Sequence, residues 1–216
     1  MIFKEYFELL FPLLSITWAV FRIGSLTKLL EPSRQIDQAA ALAISGLLTF
    51  YPFAGLSAAN YLLSVNPNFS IGSIALIFVL LWEQLARKPL LSNQHLLEFL
   101  AWNVAVSICL FTCYLGFFKY DMYALGYGFS IWFVITAMLT VILFLRRHPL
   151  SYIFIAYIVS FDLKLLPSNN FFDYITDGAL FFISLGLLLF YGVRYYKTRN
   201  HESGRQGRAG EKYREP

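Results

Sequence analysis

Long apolar runs, cut by short loops rich in helix breakers, constrain this chain more than any other feature. Seven such segments can be drawn: Tyr6 to about Ser25, Ala39 to Leu63, Phe69 to Ala86, Leu96 to Phe118, Phe129 to Leu145, Leu150 to Leu166, and Gly178 to Tyr195. Between them lie EPSRQID, SVNPNFS, RKPLLSNQ, KYDMYALGYG, RRHP and PSNNFFDYITD, which hold the Pro, Gly, Asn and Asp that punctuate regular structure. Roughly 20 apolar residues in a helix span the hydrocarbon of a bilayer. The pattern therefore predicts an all-α, polytopic transmembrane helix bundle of about seven spans. A β-barrel would instead alternate apolar and polar positions in roughly ten-residue segments. Composition points the same way, with 58% hydrophobic residues, 14% charged and a mean hydropathy of +0.59. A soluble domain carries about 25% charged residues, so this chain lacks the polar side chains to cover a globule in water.

Charge orients the predicted spans. With seven crossings, one side gathers Lys28 and Arg34, Arg87 and Lys88, Arg146 and Arg147, and seven basic residues from Arg194 to Arg214. The other side holds Lys4 and Lys119, with Lys164 near it. Basic residues in short loops stay in the cytoplasm, so the N-terminus is expected outside and the C-terminus inside, in a plasma or inner membrane. The first segment is read as a retained helix. Residues 1–196 form the expected transmembrane domain, and 197–216, polar and without apolar periodicity, a disordered basic cytoplasmic tail.

Charges within this apolar background mark the candidate functional residues. A helix entered at Leu150 reaches Asp162 after roughly 18 Å, a depth where a charge costs about 2–3 kcal/mol. Asp162 is too short to reach water easily and is expected to face the bundle interior, whereas Lys164 can snorkel outward. Pro167 after that span and Pro52 within the second interrupt two helices, a place where transporters build sites. Asp173 and Asp177, in DYITD, would share a face and could hold a divalent cation if the loop were helical. Asn103 is an amide inside a span, suited to joining helices. Glu83 and Arg87 have the spacing of a local ion pair, and Gly55 with Ala59 that of a close helix contact.

The expected substrate-binding set is thus Asp162, Lys164, Asp173, Asp177 and Asn103. No catalytic residue, metal or cofactor is expected. The chain lacks an HExxH pair, a Walker loop and a G-x-S-x-G elbow. His95, His148 and His201 fall in expected loops or the tail, and Cys109 and Cys113 lie on one helical face, unsuited to a mutual disulfide. The expected partners are the lipid bilayer and a membrane protein, not nucleic acid. The function expected first is a small-solute or ion transporter or channel. A non-catalytic membrane subunit or assembly factor comes second, and an intramembrane enzyme acting on a lipid or lipid-linked substrate third.

Overall fold

The structure, a computed structural model, describes residues 6–31, 34–117 and 121–193. Lys4, Lys119 and the expected basic tail lie outside the described residues. The fold is mostly helical, as expected of an all-α chain. In chain order the helices are α1 Leu10–Leu26, α2 Gln35–Phe50, α3 Ala58–Val65, α4 Ile71–Ala86, α5 Asn93–Tyr114, α6 Ile131–Leu145, α7 Leu150–Asp162, the single turn α8 Phe172–Ile175, and α9 Gly178–Val193. A two-residue antiparallel hairpin, Pro52–Phe53 with Leu56–Ser57, separates α2 from α3, and a 3-10 turn at Tyr123–Gly126 precedes α6.

Among the described residues, two helices are long and apolar enough to cross a membrane: Tyr6–Leu26, which includes the turn before α1, and Asn93–Tyr114. Four more are apolar but shorter: α4, α6, α7 and α9. The expected second segment does not run through. Pro52 lacks an amide donor, and Gly55 takes a left-handed φ of +93° in the hairpin turn. Gly55 therefore sits in a turn with open space around it, not at the helix contact that its spacing to Ala59 suggests.

Local chemistry sets the helix ends. Ser57, Ser70 and Ser92 cap α3, α4 and α5, each accepting a hydrogen bond from the backbone N–H three residues on. At the other ends, Lys28, Arg147 and Lys164 adopt left-handed φ values of 60°, 54° and 51°. The residue after each donates its N–H back into the last turn: Leu29 to Gly24, His148 to Leu143, Leu165 to Ser160. A basic residue at such a terminus also complements the partial negative charge of the helix end. This closure stops α7 at Asp162, four residues before the Leu166 end expected from the proline. Arg87 likewise has a left-handed φ of 53° and leaves the helix, so its side chain does not follow the i, i+4 register to Glu83. The expected Glu83–Arg87 ion pair is not among those formed.

The largest core cluster joins α4, α5 and α7 to the loop before α9. Phe99, Leu100, Tyr157, Phe171, Tyr174 and Leu180 are fully buried in it. Phe161 meets Phe171 and Tyr174 edge-on, each with centroids 5.2 Å away. Such aromatic pairs contribute about 0.5–1.5 kcal/mol beyond their area. Gly72 on α4 permits the closest approach, because a Cβ there would collide with the Ile175 carbonyl and the Leu180 side chain. Several buried hydroxyls bond back along their own helices, as Ser45 does to Ala41 O, Thr49 to Ser45 O and Thr140 to Thr136 O.

Candidate functional site

The loop from Leu163 to Asp177 is bound to the segment 121–130 by a dense hydrogen-bonded network. Asn170 is its hub. Its Nδ2 donates to Tyr123 O at 2.7 Å, its Oδ1 accepts from Phe172 N at 2.9 Å, and its backbone bridges Tyr127. Phe171 N–H adds a bond to Gly126 O at 2.8 Å. Gly126 has to be glycine here, since a Cβ would overlap the Asn170 amide. The buried Tyr174 hydroxyl, 3.1 Å from both Leu166 O and Ser168 O, closes the loop from inside.

Both loop aspartates belong to this network, but they serve different halves of it. The Tyr123 hydroxyl lies 3.0 and 2.9 Å from the two carboxylate oxygens of Asp173, and Ser168 Oγ donates to the second. Burial, and then the hydrogen bond to Asp173, push the Tyr123 phenol above its ordinary value of 10.0. Asp177 accepts four bonds. Asn66 Nδ2 and Leu180 N reach Oδ1 at 3.2 and 2.9 Å, while Ser70 N and Ser73 Oγ reach Oδ2 at 2.7 and 2.6 Å. Asp177 is therefore the N-cap of α9 and, at the same time, an anion at the N-terminus of α4, where helix dipoles favour one. The condition under which Asp173 and Asp177 would share a helical face, a helical loop, is not met. α8 ends at Ile175 and Thr176 is extended, so the two carboxylates turn to separate partners.

Asp162 corrects the largest expectation. It is exposed at the last position of α7, and its carboxylate makes no hydrogen bond or ion pair among the described residues. The buried carboxylate expected in that helix is absent because α7 ends there. Lys164, also exposed, is the left-handed residue of the helix stop. Asn103 is where an interior amide should be, at 0% exposure on α5. Its Nδ2 donates along its own helix to Phe99 O at 2.8 Å, so it does not join two helices, and its Oδ1 has no partner among the described residues.

A cavity of about 260 Å³ lies beside this loop, between α5 and the start of α9. Its polar lining is Ser107, Tyr123, Thr176 and Asp177, and its apolar wall includes Phe111 and Tyr114. Ser107 Oγ and Thr176 Oγ1 are 2.7 Å apart. Asn103 lies one turn deeper on the same face of α5 as Ser107. Of the expected site residues, the fold brings Asp177 to this cavity and Asn103 beneath it; Asp162 and Lys164 line none of the described cavities. Sequence reasoning missed Ser107 and Thr176. The i, i+4 spacing of Asn103 and Ser107 within an apolar helix was the available signal. No protein-family model, no curated protein and no solved structure matches this chain.

Proposed function

We propose that the chain is an integral membrane protein that binds and passes a small polar solute or ion, entering at the pocket between α5 and α9. In this reading there are seven crossings, with the Asp173–Asp177 end outside and the arginine-bearing turns in the cytoplasm. The shorter apolar helices, 13 residues in the case of α7, then cross with help from the polar loops that cap them. The carrying observation is the unpaired Asn103 Oδ1, buried one turn below the Ser107–Thr176 pair that lines the pocket. A buried amide oxygen without a partner costs about 1–3 kcal/mol, and a passing hydrated solute or ion would satisfy it. Tyr157 on α7 and Ser184 on α9 also hold buried hydroxyls without partners among the described residues, further acceptors and donors for such a path. The site thus moves from α7 to α5 and α9.

Reconstitution into liposomes tests this, with flux followed for protons, Na⁺, K⁺ and glycerol. At least one probe should cross faster than through protein-free vesicles. Asn103→Leu, which keeps the branched four-atom skeleton and removes the amide, should return that flux to background without lowering the melting temperature. Flux that Asn103→Leu leaves intact would sink the proposal. One observation favours the second reading, a non-catalytic membrane subunit or assembly factor. A groove of about 630 Å³ between α1, α4 and α7 is lined almost wholly by apolar side chains, among them Leu14, Phe78 and Ile153. A protein that co-purifies stoichiometrically from native membranes, and is lost on Phe78→Glu, would favour that reading.

A further inference from the structure

At the other end of α5 from the pocket, about 14 Å along the helix, three side chains of metal-ligand type converge. His95 and Glu98 stand three residues apart in the first turns of α5, as neighbours on one face. His148 comes from the turn between α6 and α7. Its N–H donates to Leu143 O at 2.9 Å in the stop of α6, and Pro149 fixes the entry to α7. His148 Nε2 lies 3.0 Å from Glu98 Oε2, and the two imidazole rings meet edge-on with centroids 4.6 Å apart. One donor atom from each of the three residues lies within 4.8 Å of the other two, and all three side chains are half-buried.

We infer that His95, Glu98 and His148 bind one divalent transition-metal ion of the zinc class. Two imidazole nitrogens and one carboxylate oxygen are the donor set of a three-ligand zinc site with an open position. Calcium and magnesium, which prefer all-oxygen shells, fit it poorly. Ligand atoms about 2.0–2.1 Å from a tetrahedral ion stand roughly 3.3 Å from one another. The His148–Glu98 pair is already near that spacing, and rotation of the His95 side chain supplies the rest. A supporting contact is also in place, since Gln94 Nε2 donates to Glu98 Oε1 at 2.9 Å and leaves Oε2 for the ion. Nearby turns carry Arg87, Lys88, Arg146 and Arg147, but among the described residues Glu98 pairs with the histidine and with none of these.

The Nε2 of His148 faces Glu98 Oε2 at 3.0 Å, while its Nδ1 accepts a long 3.4 Å bond from Leu150 N–H. An ion held by Nε2 and Oε2 would replace the direct contact between them. The bound ion would then clamp the start of α5 to the α6–α7 turn. This inference does not depend on the solute pocket.

The test uses the full chain in detergent, stripped with EDTA and titrated with zinc chloride by calorimetry. One ion per chain is expected, with a Kd of about 10 µM or tighter and a raised melting temperature. Glu98→Gln and His148→Ala should each weaken binding at least about tenfold. His95→Ala is the variant safest for folding, because its ring makes no hydrogen bond among the described residues, and it should do the same. His201→Ala and the double change Cys109→Ser with Cys113→Ser should bind as the unaltered chain does. Absence of binding by the unaltered chain, or unchanged binding by His95→Ala, would overturn the site.

Discussion

Two polar turns interrupt the apolar sequence near α7, and they use their side chains differently. In the loop before α9, Asp173 already accepts from two donors, Tyr123 and Ser168, and Asp177 from four. In the turn before α7, His148 meets one carboxylate and a long backbone contact. The first arrangement leaves little acceptor capacity for a ligand and gives rigidity; the second keeps lone pairs in reserve. Charge in an apolar setting is thus a poor guide to a binding site. Unfilled hydrogen-bonding or coordinating capacity is a better one.

The sharpest way to break this contrast is to remove the most heavily bonded acid. Asp177→Ala strands the donors of Asn66, Ser70, Ser73 and Leu180 and uncaps α9. A lost cap costs about 0.5–2 kcal/mol, and each stranded buried donor about 1–3 kcal/mol before relaxation. A loss of roughly 3 kcal/mol is expected, read as a fall in melting temperature in detergent. Asp177→Asn, which keeps an acceptor oxygen, should lose less. If Asp177→Ala melts with the unaltered chain, the loop is not the rigid half of the comparison.

A smaller effect belongs to Tyr123, which donates to Asp173. Tyr123→Phe should cost about 1.5–3 kcal/mol, the range for a hydrogen bond to a charged group. The pH dependence has a definite sign. Burial and the Asp173 bond raise the phenol above 10.0, so the folded state holds the proton more tightly than the unfolded one. Its stabilising contribution is complete below pH 10.0 and declines as the pH rises from there toward the folded value. Melting curves from pH 8 to 11 should therefore show an alkaline loss of stability that Tyr123→Phe reduces. Equal slopes for the two proteins would place the hydroxyl outside the network.

Several features were legible in the sequence because they depend on local chemistry. The longer helices match the apolar segments to within about four residues at their starts, Pro52 breaks the second of them, and Asn103 is buried. What escaped depends on contacts between distant residues. Asn66 and Ser70 are more than a hundred positions from Asp177, so nothing near DYITD announces that its second acid is a cap. His95 and His148 read separately as loop histidines, and only the return of α7 beside α5 brings them together. The end of α7 departs from expectation for a different reason. Pro167 predicts a stop at Leu166, while the actual stop is a left-handed lysine at 164, a conformation that favours glycine and that a lysine does not advertise.

The smallest expected effect is also the most discriminating. Asp162 is the residue that sequence alone singles out first, yet it is exposed and unpaired among the described residues at the end of its helix. Surface changes without partners usually stay within about 0.5 kcal/mol. A carboxylate at a helix C-terminus opposes the dipole, and Asp162→Asn removes that repulsion. The substitution should therefore leave the melting temperature unchanged or slightly raised, and should leave liposome flux untouched. A clear loss of either quantity would return the burden of function to α7. It would also show that an exposed, unbonded acid can matter more than one holding four hydrogen bonds, reversing the comparison between saturated and unfilled groups.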